Sequence, residues 1–400
     1  MLAALLLAGC VEETYQMPAE WEPHDAVWIT FLGGPTDAVS FEIARAVGSS
    51  GHVKAVVPAL DFNGNPSHRM SYLVQARLSN LGLASEDFSL IKTDSLVQVR
   101  DTGPIFVQSP SGHLGIADFR WNNYGEFDAM APGYQDSYPF DTMMAEELGL
   151  DTISSKMVME GGSIDVNGKG TALQVEAVAL QRNPSMDKAA IEAELARVLG
   201  QTNIIWLKDG LAEDPHALQR ITEHYVGAGT GGHVDAFARF VDASTVLLAY
   251  PDSAEAANDP VKRITRVRMQ ENEARLQGAV DQDGQPLTVI RVPVPDVAYE
   301  PMVVDTTWWQ HPYFRPLMEA NPQFHHGDTL RWVPTSSYLN YFVTNGVVVM
   351  PTYGTEEDLE VQEILQSFYP NRRIVGIDPA LLNDAAGGLH CWTQQQPAAF

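Results

Sequence analysis

Apolar residues follow two rhythms along this chain. Short apolar runs bounded by Gly, Pro, Asn or Asp alternate with stretches where apolar positions return every third or fourth residue. The runs Ala26 to Phe31, His52 to Pro58, Asn203 to Leu207, Leu287 to Val292 and Arg373 to Ile377 predict strands. The helical rhythm predicts helices near Ser40–Val47, Asp141–Leu148, Pro260–Leu276 and Asp358–Phe368, with Asp141 as an N-cap. After Ser185, Ile191, Leu195, Val198 and Leu199 share one helical face and Gly200 ends the run. Two strand pairs stand out: Phe237–Val241 with Thr245–Tyr250, and Tyr338–Thr344 with Val347–Met350. The second is joined by Asn345-Gly346, the favoured two-residue hairpin turn. The unit of hairpin, helix and strand recurs at about five places without an identical sequence repeat. The fold class is therefore α/β. The segment from Pro293 to Pro334 shows little periodicity and predicts an ordered loop rich in Pro, Trp and His.

Composition narrows the class. With 400 residues, 45% hydrophobic and 19% charged, the chain is long enough for a large core and is not of disordered type. Asp plus Glu number 51 against 25 Lys plus Arg, a net charge of -26. Nucleic acid needs a basic face and is excluded as a partner. Cationic small molecules fit the balance, as does a plainly solvated acidic surface.

The two cysteines lie at opposite ends, Cys10 and Cys391. The apolar residues before Cys10 are too few for a bilayer span, which takes about 20. Leu7-Ala8-Gly9-Cys10 resembles a lipoprotein processing site, although no Lys or Arg precedes it. The expectation is a signal over 1–10, lipidation at Cys10, and one catalytic domain over 11–400. It implies an exported protein whose only membrane contact is a lipid anchor in the bacterial envelope.

Four segments combine glycine with ionisable groups: Arg100-Asp101-Thr-Gly-Pro104, Glu160-Gly-Gly-Ser163, Gly232-His233-Val-Asp235, and Gly387-Gly-Leu-His390-Cys391. Each also fits an ordinary turn. Gly227, Gly229 and Gly232 match a dinucleotide spacing, but no clear strand precedes them and a strand is predicted to come after. On that strand His233 and Asp235 would share a face. A metal site of His233, Asp235 and Glu160 and a cysteine-protease arrangement remain open at this point. Taken together, several carboxylates, one His and one Cys suit chemistry on a guanidinium. Carboxylates grip its N–H groups, a thiolate attacks its carbon, and an imidazole protonates departing ammonia.

These segments, with Met17-Pro-Ala-Glu-Trp-Glu-Pro-His24 and His390-Cys391-Trp-Thr-Gln-Gln-Gln-Pro397, stand in the order found in a known group. The chain resembles the agmatine deiminase and Porphyromonas-type peptidylarginine deiminase family of guanidino-modifying enzymes. The resemblance implies a five-bladed α/β propeller with pseudo-fivefold symmetry. It also implies hydrolytic deimination through a Cys amidino-thioether, with no metal or organic cofactor. Carried over by residue, Cys391 is the nucleophile and His233 the general acid and base. Asp101 and Asp235 grip the guanidinium, and Glu160 orients the His.

The first expectation is agmatine going to N-carbamoylputrescine and ammonia. The alternative is free or peptidyl arginine going to citrulline. A lipid-anchored polyamine- or guanidine-binding protein is the reading from another class, and an amidinotransferase would share the thioether step. Gln98 stands where agmatine deiminases usually carry Trp, and Gly231 where they often carry an acid or Asn. Gln98 and Trp308 are the residues expected to meet the part of the substrate beyond the guanidinium.

Overall fold

The computed structural model describes residues 14–48, 50–59, 68–93, 98–126 and 140–399. The expected signal over 1–10, with Cys10, lies outside the described residues. The chain runs β1 (His24–Thr30), α1 (Asp37–Val47), β2 (His52–Pro58), α2 (Arg69–Asn80), β3 (Phe88–Thr93), β4 (Ile105–Gln108), β5 (Leu114–Arg120), α3 (Phe140–Leu148) and β6 (Asp151–Val158). It continues through β7 (Ile164–Val166), β8 (Thr171–Val175), α4 (Glu176–Arg182), α5 (Lys188–Leu199), β9 (Asn203–Leu207), β10 (Gln219–Thr222) and β11 (Tyr225–Gly227). Next come β12 (Ala238–Phe240), β13 (Thr245–Ala249), α6 (Ser253–Asn258), α7 (Pro260–Gln277), β14 (Thr288–Val292), β15 (Glu300–Val303), α8 (Arg315–Ala320) and β16 (Thr329–Trp332). The last elements are β17 (Phe342–Thr344), β18 (Val347–Pro351), α9 (Glu357–Phe368), β19 (Arg373–Ile377), α10 (Ala380–Asn383) and β20 (Thr393–Pro397).

This is a mixed α/β fold of several small sheets, and one connectivity repeats. β4-β5-β6, β7-β8-β9, β12-β13-β14 and β17-β18-β19 each pair their first two strands antiparallel and their last two parallel. The parallel step needs a crossover, and α3, α4 with α5, α6 with α7, and α9 supply it. The first sheet obeys the same rule across the ends of the chain. β20 pairs antiparallel with β1, which pairs parallel with β2, which pairs parallel with β3.

Burial explains why these runs were readable. The middle strands β8, β13 and β18 are buried at every position. In β13 and β18 burial on both faces leaves near-continuous apolar runs without alternation, whereas β8 keeps Thr171 and Gln174 and is not among the runs legible in the sequence. Leu173, Phe240, Leu247, Val348 and Leu365 belong to one apolar cluster spanning three of the sheets. Among the described residues, no helix is long and apolar enough to cross a membrane.

Three expectations need correction. The segment 293–334 is not a loop, because it carries β15, α8 and β16. Its strands join β10 and β11 in a separate sheet, β10-β11-β16-β15. β15 and β16 are only four residues each and largely exposed, so neither rhythm is visible. A short strand, β11, does precede the Gly227–Gly232 stretch. His233 then leads into a 3-10 turn over Val234–Ala236 instead of the expected strand, and β12 starts only at Ala238. The strand expected from Tyr338 begins only at Phe342, which leaves Tyr338 to Tyr341 in the loop before it.

Helix α5 is capped at both ends, at its C-terminus by the Gly200 that the sequence predicts. Asp187 caps its N-terminus by accepting the Ala190 N–H, and Gly200 closes it in the left-handed region at φ +66°. A Cβ on Gly200 would also stand 2.5 Å from the Tyr15 carbonyl oxygen. Gly200→Ala is therefore expected to cost about 1–3 kcal/mol, read as a lower denaturant midpoint. An unchanged midpoint would contradict the cap assignment.

Candidate active site

The repeating connectivity produces a repeating position: the turn just before the first strand of each three-stranded sheet, and before β20. Asp101 lies before β4, Glu160 before β7, and His233 with Asp235 before β12. Asn340 lies before β17 and Cys391 before β20. All six side chains are buried, with Glu160 at 0% and Cys391 at 8% exposure.

Local sequence shapes each turn. The Asp101 and Thr102 amides both donate to the Gln98 carbonyl, at 3.0 and 2.9 Å, in one helical turn. Glu160 is extended at the head of the 3-10 turn Gly161–Ser163. Gly162 matters most, because a Cβ there would lie 2.7 Å from His233 Nδ1, 2.9 Å from Asp101 Oδ1 and 3.1 Å from Asp235 Oδ2. Three functional groups thus converge on a space that only glycine leaves free. Asp214 organises the next turn. Its carboxylate accepts the amides of Thr230, Gly232 and His233 at 2.6, 3.1 and 3.0 Å.

His233 is held from one side. Its Nε2 faces Glu160 Oε2 at 3.4 Å, while Nδ1 has no hydrogen-bond partner among the described residues and stands 3.6 Å from Asp101 Oδ1. Burial opposes the imidazolium, but Asp101, Glu160 and Asp235 together outweigh it and raise its pKa to about 9. Burial also works against the Glu160 charge. The Arg182 guanidinium, at 2.8 Å, and His233 overcome it and bring Glu160 to about 2. His233 is thus a charged acid at neutral pH, and Glu160 its fixed counter-charge.

The two aspartates differ. Asp101 is shifted up by burial and by the neighbouring Asp235 and Glu160, despite His233. Its Oδ1 accepts the Gly162 amide at 3.0 Å, and its Oδ2 accepts the Tyr124 hydroxyl at 3.0 Å. Asp235 is held down despite burial, chiefly by His390, whose Nδ1 lies 2.7 Å from Oδ2. Asp235 Oδ1 is buried without a partner, an acceptor left for a ligand N–H.

Cys391 Sγ accepts from Asn340 Nδ2 at 3.3 Å and stands 3.6 Å from Asp235 Oδ2. Asn340 Oδ1 accepts the His390 amide at 3.0 Å, so one amide side chain fixes the Cys391 turn and touches its sulfur. Burial, with Asp235 and Asp101 nearby, pushes the thiol well above its usual range. The resting sulfur is a thiol, and a cation placed between the two aspartates would favour the thiolate.

The structure brings together Cys391, His233, Glu160, Asp101 and Asp235. His233 and Asp235 meet through the 3-10 turn and not through a shared strand face. Gln98 reaches the edge of the cluster, where its Oε1 lies 2.5 Å from the Tyr124 hydroxyl. Trp308 lies elsewhere. It stacks on Phe314 at 4.4 Å and packs against the apolar cluster of the separate sheet. Sequence reasoning missed Asn340, Tyr124 and Arg182. Asn340 occupies the repeated pre-strand position, the one signal that could have found it. Tyr124 and its neighbour Asn123 adopt φ of +55° and +54°, in a turn that Asn122, Asn123 and Gly125 mark in the sequence. A large cavity of about 1220 Å³ beside Tyr15, Lys169 and Arg197 contains none of these residues in its lining.

Residues 16–397 match the model of the family described as Porphyromonas-type peptidyl-arginine deiminase. The chain is 30% identical over 404 residues to an agmatine deiminase of Pseudomonas fluorescens strain SBW25, covering 96% of each. It is also 30% identical to one of Pseudomonas syringae pv. tomato, again with 96% of each covered. The structure of an agmatine deiminase of Enterococcus faecalis superposes with a TM-score of 0.74 at 25% identity, covering 96% of both chains. The chain belongs to the Porphyromonas-type peptidyl-arginine deiminase family.

The charge on His233 gives a test that needs no substrate. Its imidazole should half-titrate near pH 9 by NMR. Glu160→Gln removes a neighbouring anion, so the midpoint should fall by more than about one unit. A midpoint that stays put would remove Glu160 from this role.

Proposed function

We propose that this enzyme hydrolyses a small guanidine to a ureido product and ammonia through a covalent adduct on Cys391, with agmatine as substrate. The observation that carries the reading is the convergence of two buried aspartates and a charged imidazole on the space before Gly162, with the Cys391 sulfur 3.6 Å from Asp235 Oδ2. A guanidinium is planar and cationic and fits between facing carboxylates. The agmatine deiminase relatives supply the support for agmatine. The burial of Cys391 favours a small free guanidine over an arginine held in a chain.

In this reading the cation enters between Asp101 and Asp235, and the Cys391 thiol loses its proton to solvent. The sulfur attacks the guanidinium carbon and a C–S bond forms. His233 Nδ1, the partnerless ring nitrogen, gives its proton to the departing nitrogen, and the C–N bond breaks as ammonia leaves. His233, now neutral, takes a proton from water. The hydroxide adds to the same carbon, the C–S bond breaks, the new O–H gives its proton to solvent as the C=O forms, and the thiolate and the ureido product separate. A binding protein would need the carboxylates but neither the cysteine nor the imidazolium, which disfavours that alternative. The five sheets of one connectivity support their arrangement as blades of a pseudo-fivefold propeller, with the site at the axis.

Ammonia release tests the assignments. Cys391→Ser should retain its fold and lose turnover, because a hydroxyl is a far weaker nucleophile than a thiolate. Ammonia release at the wild-type rate would refute the nucleophile. Asp101→Asn and Asp235→Asn should each lower kcat/KM more than tenfold, matching a charged hydrogen bond of about 1.5–3 kcal/mol. Full efficiency in either variant would make that aspartate structural. Among agmatine, arginine and a short arginine peptide, agmatine should give the highest kcat/KM. A higher value for the peptide would overturn the substrate choice.

A further inference from the structure

A second layer of buried charge lies directly behind Asp235, and the proposed chemistry does not use it. The imidazole of His390 bridges two carboxylates, with Nδ1 2.7 Å from Asp235 Oδ2 and Nε2 2.6 Å from Glu20 Oε1. Each contact needs an N–H, so the ring makes both only when both nitrogens carry protons. Glu20 is itself tied down. Arg100 Nη1 lies 3.2 Å from its Oε1, and Arg239 Nη2 donates to its Oε2.

Two of the neighbours of Glu20, Arg100 and His390, are chain neighbours of reacting residues. Arg100 precedes Asp101 and donates from Nε to the His390 carbonyl at 3.3 Å. His390 precedes Cys391. Arg239 donates from Nη1 to the carbonyls of Leu339 and Tyr341, on either side of Asn340, at 3.1 and 3.0 Å. Arg239 also meets Asp165 at 2.6 Å. One carboxylate from the segment before β1 therefore touches the supports of three separate turns. The hydrogen bond from His390 also occupies Asp235 Oδ2 and leaves Oδ1 as the partnerless acceptor.

We propose that Glu20 and His390 are positioning residues of the deimination site. His390 fixes the rotamer and the charge of Asp235, and Glu20 anchors His390 while joining it to the Asp101 and Asn340 turns. Neither touches the reacting atoms. The inference rests on the deiminase reading above. The charged and titratable groups facing the pair are Asp235 and His233 from one turn, Arg239 from β12, and Arg100 and Asp101 from another. Asp165 from β7, His24 from β1, Tyr341 before β17 and Tyr369 after α9 complete the set on the Glu20 side, and Cys391 that on the Asp235 side.

The test uses ammonia release from agmatine as a function of pH, with thermal melts, for the full chain and for His390→Leu, His390→Gln and Glu20→Gln. Wild type that releases no ammonia from any guanidine overturns the deiminase reading and this inference together. With active wild type, His390→Leu is expected to lower kcat/KM about tenfold or more. Loss of the cationic neighbour raises the pH at which Asp235 takes a proton, so the acid limb of kcat/KM should move to higher pH. His390→Gln keeps one N–H donor without the charge. It should recover part of the efficiency with the limb still shifted, and it carries the test if His390→Leu does not fold. Glu20→Gln should lose kcat/KM severalfold. Folded His390 variants with the wild-type acid limb overturn the proposal, as does a loss of activity that only tracks the fall in melting temperature.

Discussion

Everything in this molecule answers to one constraint: several carboxylates must be buried around a point that holds no protein atom. Asp101 and Asp235 face the space before Gly162 with the His233 ring between them, and Glu160 lies behind that ring. Desolvating a single carboxylate costs several kcal/mol unless charge and hydrogen bonds compensate. Each is compensated on its protein side. Glu160 has Arg182 and His233, Asp235 has His390, and Asp101 has the Gly162 amide and the Tyr124 hydroxyl. Two buried atoms are left without a partner among the described residues, Asp235 Oδ1 and His233 Nδ1, and the second faces the space before Gly162. A guanidinium brings N–H donors to the first and a leaving nitrogen to the second. The site is stable because its outer shell is satisfied, and reactive because its centre is not.

The fold meets that constraint by repetition. A turn before the first strand of a hairpin is short, anchored by the sheet behind it, and able to hold a side chain without helical or strand dihedrals. The chain uses such a turn for Asp101, Glu160, His233 with Asp235, Asn340 and Cys391. No single turn could hold so many charges, because like groups on adjacent residues repel and compete for the same backbone donors. Spread over separate turns, each charge gets its own partners. Pairing of β20 with β1 adds the Cys391 turn to the set, since Ile29 lies opposite Thr393 in the first sheet.

The sequence made the apolar middle strands legible because burial on both faces leaves no polar positions in Val246–Ala249 or Val347–Met350. It made the five candidate site residues legible because glycine beside an ionisable group is a local pattern. The features that escaped were set by distance along the chain or by weak periodicity. Asn340 sits in Tyr338-Leu-Asn-Tyr-Phe, where it looks like one polar residue in an aromatic strand, yet it meets Cys391 across 51 residues. Glu20 and His390 are 370 apart, and no local pattern announces their contact. The strand expected to carry His233 and Asp235 was displaced by a 3-10 turn, because positive φ at Gly231 and Gly232 breaks extended pairing just before them. Trp308 was chosen for its aromatic character alone, and its ring is used in stacking on Phe314.

The central claim is that Cys391 becomes bonded to the guanidinium carbon during turnover. Mass spectrometry of the enzyme acid-quenched during steady-state turnover of agmatine tests it most directly. The account predicts a peptide containing Cys391 that carries the mass of agmatine less ammonia and reverts to the unmodified peptide when the substrate is exhausted. An unmodified Cys391 peptide throughout rapid turnover, or the same adduct mass on another residue, would contradict it.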